Sequence, residues 1–453
     1  MSNFFVEEKK ILKNIKATFN ICSNPNIKIQ KKISKILKYE KKHKVYKLDN
    51  NYFSWDYFRP YLNRIIEDYE SPNYKYEYNL KKLLNLVKYK NLLYLPFFVP
   101  KKKVDYIFFG HPRGQIKKKK IIDEYIDHLI KNIPRSKRKL VFGYPHITHG
   151  TKYNHLEKRF FIHWIYLIIK LSTFFKYYFF KIDNIYPKEL KNISQNIFLK
   201  INIENWWLNY LKKTQPKTIF VVDINSNIPI VRAANKLGIT ICEIQHGSPD
   251  KKKLIYNFCS KKRLGIPTYY IGWGKYWEKK MKNYYKKKYF VMGKNISNKI
   301  PICNRKNKGI LIIDQYIGRK TLINKAIQLK KKDSNLNILY RFHPSKTEIS
   351  DEIKILKENN IEISNPFKKE LKDDLKNIRY IIAHSSTLIY ELANQKYDVC
   401  TLESINNQDG LMSDIKQLSS SKKIFNLIYL DFKKIKNIKI FEQINYNFLS
   451  WLM

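Results

Sequence analysis

The apolar positions of this chain fall in short runs, each breaking abruptly into a polar turn. Val104–Gly110, Lys139–Phe142, Thr218–Val222, Ile239–Ile244, Thr268–Gly274 and Tyr289–Gly293 come first. Gly309–Asp314, Asn337–Tyr340, Tyr380–Ala383 and Tyr397–Leu402 follow. These are strand lengths, and near-continuous hydrophobic character suits strands buried on both faces of a parallel sheet. Helical patterns lie between them: Ile121–Ile133, then Pro229–Leu237 closed by Gly238, then Leu388, Glu391 and Leu392 on one face. Alternating strand, turn and helix predicts an α/β chain with parallel sheets. Ligands of such sheets sit at the carboxyl ends of the strands, so the polar turns are where chemistry is expected.

The rest of the pattern divides the chain. Residues 1–100 read as a helical N-terminal segment, with helices over Tyr61–Glu70 and Leu80–Leu93 and no visible chemistry. Residues 101–295 form a first Rossmann-like domain, 296–307 a polar linker containing a proline, and 308–435 a second Rossmann-like domain. Residues 436–453 read as a C-terminal amphipathic helix carrying Phe448, Trp451 and Leu452. Phe160–Phe180 is the longest apolar stretch, but His163, Lys170 and Lys176 interrupt it, so no spanning helix is expected. It reads either as a buried helix or as an aromatic-rich helix lying on a membrane surface.

Composition sharpens this only in part. A hydrophobic fraction of 44% and an aromatic fraction of 15% indicate a folded protein. The formal charge of +50 raises a nucleic-acid-binding reading. The lysines are spread through the whole chain, however, and Asn, Ile and Tyr are inflated beside them, so a general lysine bias accounts for the charge and no nucleic acid is expected. Such a charge still draws a protein to anionic head groups and anionic substrates. Cys22, Cys242, Cys259, Cys303 and Cys400 have no metal-ligand spacing, and a sparse odd set suits a reducing compartment. The N-terminus lacks the apolar core of a signal peptide, so a cytoplasmic location is expected, peripheral to the membrane.

Two turns in the second half suit phosphate. Arg341-Phe342-His343-Pro344-Ser345 ends one strand, with His343 placed to stabilise negative charge and Arg341 a second cation. Ser385, Ser386 and Thr387 end another strand and open a helix, where free N–H groups and hydroxyls hold a phosphate. Glu391, one turn on, faces a sugar hydroxyl. Asp373-Asp374 sits in a lysine-rich helical stretch and reads as surface, not as a metal-binding pair; no metal and no cofactor are expected. In the first half, Gly110-His111-Pro112-Arg113-Gly114, Asp223 and Gln245-His246-Gly247-Ser248-Pro249 all end strands.

Together the His-Pro turn, the Ser-Ser-Thr turn four residues before a glutamate, and the Asp223-to-His246 block resemble GT-B glycosyltransferases of bacterial surface-polysaccharide synthesis. Similar enzymes are the capsule and lipooligosaccharide transferases that use CMP-activated sugars. The His-Gly-Ser-Pro turn also resembles that of CDP-glycerol glycerophosphotransferases. The resemblance implies two Rossmann-like domains facing a central cleft, with the last helix crossing back to the first domain. It also implies a CMP- or UDP-linked donor as substrate and a glycan or lipid-linked glycan as acceptor. It further implies inverting, metal-independent transfer, the donor held by His343, Pro344, Ser385, Ser386, Thr387 and Glu391 with Arg341 beside them. The base would be His246, or Asp223, or His111, with Arg113, Gln245 and Gly247 lining the acceptor side. A sugar-nucleotide 2-epimerase has a similar two-lobed fold, but would need further carboxylates poised on the sugar carbon.

Overall fold

The protein is described here by a computed structural model. Its described residues are 2–67, 102–143, 159–179, 191–247, 263–282, 288–294, 300–343, 350–402, 419–421 and 433–435, with Leu254 and Leu449. Within those spans positions 25, 26, 28, 48, 50–53, 112–114, 118, 119, 124, 162, 316, 317, 367 and 385 are excepted. Arg113, Pro344 and Ser385, and the helix expected over Leu80–Leu93, therefore lie outside the described residues.

Three helices come first, α1 (Ser2–Ser23), α2 (Ile29–His43) and α3 (Trp55–Glu67). Next are β1 (Tyr106–Phe109), β2 (Gln115–Lys117), β3 (Lys120–Ile122), α4 (Asp127–Asn132), β4 (Lys139–Gly143), β5 (Arg159–Phe161), α5 (His163–Phe179) and α6 (Lys191–Thr214). The first half continues through β6 (Thr218–Val222), α7 (Ile224–Lys236), β7 (Thr240–Ile244), β8 (Tyr269–Gly272), α8 (Lys275–Lys282) and β9 (Lys288–Val291). Its sheet runs β5-β4-β1-β6-β7-β8-β9, and every pairing from β5 to β8 is parallel. In chain order those six strands lie third, second, first, fourth, fifth, sixth, the doubly wound nucleotide-binding arrangement.

The second half repeats the plan with β10 (Gly309–Ile313), α9 (Arg319–Lys332), β11 (Ile338–Arg341), α10 (Ser350–Glu358), β12 (Glu362–Ser364), α11 (Leu371–Asp374) and β13 (Ile378–Ala383). It ends with α12 (Leu388–Asn394), β14 (Asp398–Thr401), β15 (Ser419–Ser421) and β16 (Lys433–Ile435). The order β12-β11-β10-β13-β14 is parallel, and β16 and β15 extend it antiparallel. The chain is thus α/β with two Rossmann-like parallel sheets, the class its hydrophobic pattern predicts. All residues of β1, β6 and β10 are buried, which explains their unbroken apolar text. One compact unit comprises Met1–Ile271, Met281–Phe290 and Tyr446–Met453; the other comprises Gly272–Lys280 and Val291–Asn445.

In the first unit the N-terminal helices share a core with the sheet's own helices. Ile11, Ile15, Trp55, Phe58 and Leu62 cluster with Ile197 and Ile201 of α6 and Ile228 of α7. A buried ionic network reinforces this core. Arg232 of α7 bonds Asp56 of α3 at 2.7 Å and Glu204 of α6 at 2.8 Å, and pairs with Asp49. Arg263 donates to the other oxygen of Asp56 at 2.8 Å, and the Gly265 N–H to the first at 2.9 Å. Burial pushes the Asp56 carboxyl up, but Arg263 and Arg232 outweigh it and hold it at about 2.

Several expectations need correcting. The helix read over Ile121–Ile133 is a hairpin strand followed by a helix of only six residues, because Asp123 turns the chain: its carboxylate accepts from Tyr125 N and His111 N. The helix read from Pro229 begins at Ile224, since Asp223 caps it directly at the strand end and Pro229 lies inside. Asp374 is buried, not surface: Arg341 pairs with it and the Ser364 hydroxyl donates to it. Of the stretch read as linker, Ile300 and Cys303 are buried, and Arg305 bonds Asp398 at 2.7 Å.

Candidate functional site

In each sheet the chain-order reversal falls beside the first strand, between β1 and β6 and between β10 and β13. Adjacent loops diverge to opposite faces there and leave a crevice at the strand ends. The candidate residues gather at these two places, each within its own unit.

In the first unit, β1 runs into Gly110 and His111, β6 into Asp223, and β7 into Gln245, His246 and Gly247. The His111 and His246 ring centroids are 5.5 Å apart, so the turns after β1 and β7 present two imidazoles side by side. His111 is held at its backbone, N to Asp123 Oδ2, 2.8 Å, and its ring lies against Tyr125 at 5.2 Å. The Tyr125 hydroxyl lies 3.5 Å from the His246 carbonyl. Gln245 is fully buried; its side-chain amide donates to the Gly247 carbonyl at 3.1 Å and fixes the turn that carries His246. Asp223 is half-buried in a left-handed conformation, φ 63°. Its carboxylate accepts from Asn225 N at 3.2 Å and from the Ser226 hydroxyl at 2.8 Å. The three candidate bases, His111, Asp223 and His246, thus follow the neighbouring parallel strands β1, β6 and β7 at the same end of the sheet.

In the second unit the organising residue is one the sequence reading passed over. Asp314, fully buried at the end of β10, accepts from Arg319 Nε at 2.8 Å, the Tyr340 hydroxyl at 2.9 Å and His343 N at 3.1 Å. It thereby ties the N-terminus of α9 to the His-Pro turn after β11. Gly318, the N-cap of α9, takes φ 83°, and a Cβ there would stand 2.9 Å from His384 Nε2 and closer still to other ring atoms. The turns after β10, β11 and β13 are thus packed together, with His343 and His384 at their ends. The glycine immediately before a helix was the available signal in the sequence.

The remaining donor-side candidates divide. Thr387 is the N-cap of α12 but makes no capping bond; the Ser386 hydroxyl accepts from Leu388 N instead, at 3.3 Å. Arg341 is engaged away from the His343 turn. Its guanidinium pairs with Asp374, donates to Ser364 Oγ at 3.0 Å and to the Lys369 carbonyl at 3.1 Å, because β11 sends it toward β12. Glu391 is largely buried and bonds Lys294 at 2.6 Å, while that ammonium sits 4.2 Å over the Trp273 ring. Among the described residues no three His, Cys, Asp or Glu side chains cluster as metal ligands.

No protein-family model matches the chain, and no curated protein matches it in sequence. Solved structures do overlap it. The UDP-GlcNAc 2-epimerase of Methanocaldococcus jannaschii, in complex with UDP-GlcNAc and UDP, matches at 16% identity over 66% of this chain and 83% of its own, with a TM-score of 0.35. MurG of Acinetobacter baumannii matches at 12% over 70% and 84%, TM-score 0.39. MnaA of S. aureus with UDP matches at 16% over 67% and 80%, TM-score 0.37. At these scores none of the three assigns a function to this chain.

Proposed function

We propose that this chain is a nucleotide-sugar-dependent glycosyltransferase of the GT-B kind, building a bacterial surface glycan. The observation that carries the reading is the repeated strand order, with histidine-bearing turns at the strand ends of both sheets. Transfer of a glycosyl group needs a base for the acceptor hydroxyl and stabilisation of the departing phosphate. The second unit takes the CMP- or UDP-linked donor. His343 and His384, the Ser386 turn and the α9 N-terminus face its phosphates, and Glu391 its ribose. The first unit takes the acceptor, with His246 the base and Asp223 and His111 the other strand-end groups able to hold or take its proton. No metal-bound step is invoked; inversion follows from direct attack by the activated hydroxyl.

A membrane-bound acceptor fits the exposed apolar face of α5, where Ile168, Leu171 and Phe175 stand in solvent. That helix carries Lys170 and Lys176 and no acidic residue, so an anionic lipid surface is the complementary partner.

A thermal-shift panel of CMP, CDP, UDP, GDP and a short oligonucleotide at two salt concentrations tests the donor site. Saturation at about 100 times Kd adds about 2.7 kcal/mol to the folded state. One nucleotide is expected to raise Tm, and His343→Ala to abolish the rise while keeping the fold. Asp314 holds the His343 backbone, so losing the imidazole leaves the turn in place. Stabilisation by the oligonucleotide alone would overturn the reading.

A further inference from the structure

A second carboxyl group, Glu243, lies beside Asp223 and was not among the expected site residues. It occupies the next-to-last position of β7, between Val221 of β6 and Tyr270 of β8, and is 1% exposed. One oxygen accepts from Ile224 N at 3.2 Å, the first N–H of α7 after the Asp223 cap. The other oxygen is buried and has no hydrogen-bond partner. A fully buried carboxylate with one bare oxygen is costly. A second negative charge next to Asp223 makes it costlier.

We propose that Glu243 is a positioning residue for Asp223: as a neutral carboxylic acid it anchors the turn between β6 and α7. Its one hydrogen bond, accepted from the first N–H of α7, holds the turn on which Asp223 is presented to the acceptor. Two carboxyl groups at the same end of the sheet thus divide their roles by environment. Glu243 is dry and singly bonded; Asp223 is half-solvated and held by Asn225 and Ser226. Burial, helped by the charge of Asp223, raises Glu243 to about 8, against the pull of its one backbone hydrogen bond. Among the described residues, Asp223 is the charge that acts on it. The functional half of the proposal rests on the transferase reading; the protonation half does not.

The test therefore begins without substrate. Infrared spectra of the full chain, wild type, Glu243→Gln and Asp223→Asn, are recorded from about pH 5 to 10, together with thermal unfolding. A carboxylic-acid band is expected to persist at neutral pH, to fade with a midpoint near 8 and to be missing in Glu243→Gln. Asp223→Asn should move that midpoint down, because the charge that raises it is gone. A folded-state value above the unfolded one costs stability progressively as pH rises toward 8. The Tm of Glu243→Gln should accordingly gain on wild type up to that pH and then level off. In a transfer assay the alkaline limb of kcat should shift in Glu243→Gln with the donor KM unchanged. No band at neutral pH, or a band that survives Glu243→Gln, overturns the proposal. A midpoint indifferent to Asp223→Asn overturns the pairing. A correct band with no nucleotide binding in the panel above removes the transferase reading alone.

Discussion

Gly318 is the residue where backbone and packing both forbid a side chain. At φ 83° an L-residue is strained, and the His384 ring fills the space a Cβ would need. Gly318→Ala should therefore cost about 1–3 kcal/mol and push His384 or the α9 N-terminus outward. Chemical denaturation measures the first effect, and weaker nucleotide stabilisation of the mutant the second. Asp56 gives a pH-dependent counterpart. Its carboxyl is held at about 2, below the ordinary value of 3.8, so its stabilisation is complete above that value and disappears as pH falls toward 2. Asp56→Asn should unfold more easily than wild type near neutrality, with the gap closing in acid as the wild-type carboxyl is protonated. At this scale the sequence was partly legible. His246, His343 and Ser386 could be placed because each follows an apolar run. Asp314 and Glu243 could not, since their importance lies in which backbone N–H groups they accept from.

Elements that signal themselves locally were readable, and those defined by partners were not. The ten strands read from the sequence needed only their own apolar runs; β12, β15 and β16 have none and were not read. The β2–β3 hairpin was misread because Ile121 and Ile122 fit a helical stripe as well as a strand, and only the Asp123 turn decides between them. Arg341 looked like a donor cation because its partner, Asp374, lies 33 positions along the chain. Helix α5 is the element whose reading changes most. Tyr166 and Ile169 pack against the first sheet's core while Ile168, Leu171 and Phe175 are exposed, so it is neither fully buried nor spanning. No described helix is long and apolar enough to cross a membrane. Seating an Ile or Leu side chain in a bilayer interface is worth about 1.5–3 kcal/mol. Ile168→Glu and Leu171→Glu should each weaken binding to anionic vesicles about tenfold or more and leave Tm unchanged. Co-sedimentation with anionic and with neutral vesicles reads this out. Equal binding of the mutants would show that α5 is not the contact.

Over the whole molecule, the N-terminal segment looked chemically silent because its contribution is made at long range. Asp56 meets Arg232 across 176 positions, and Tyr57 donates to Glu204 across 147. Deleting residues 2–67 would strip Arg232 and Arg263 of their Asp56 partner inside a hydrophobic core. Since breaking one buried pair already costs about 3–5 kcal/mol, the shortened first unit should not fold. The charge of +50 acts at the same scale, and salt separates it from the site. Diffuse attraction to a polyanion releases counterions, so oligonucleotide binding should collapse between about 50 and 200 mM salt. On the proposed reading the nucleotide meets His343, His384 and the α9 N-terminus, and such close contacts are screened far less. In titrations across that salt range, the affinity of the favoured nucleotide should fall by less than tenfold while that of the oligonucleotide falls a hundredfold or more. Parallel slopes for both ligands would mean that surface charge, not the strand-end turns, is what binds the nucleotide.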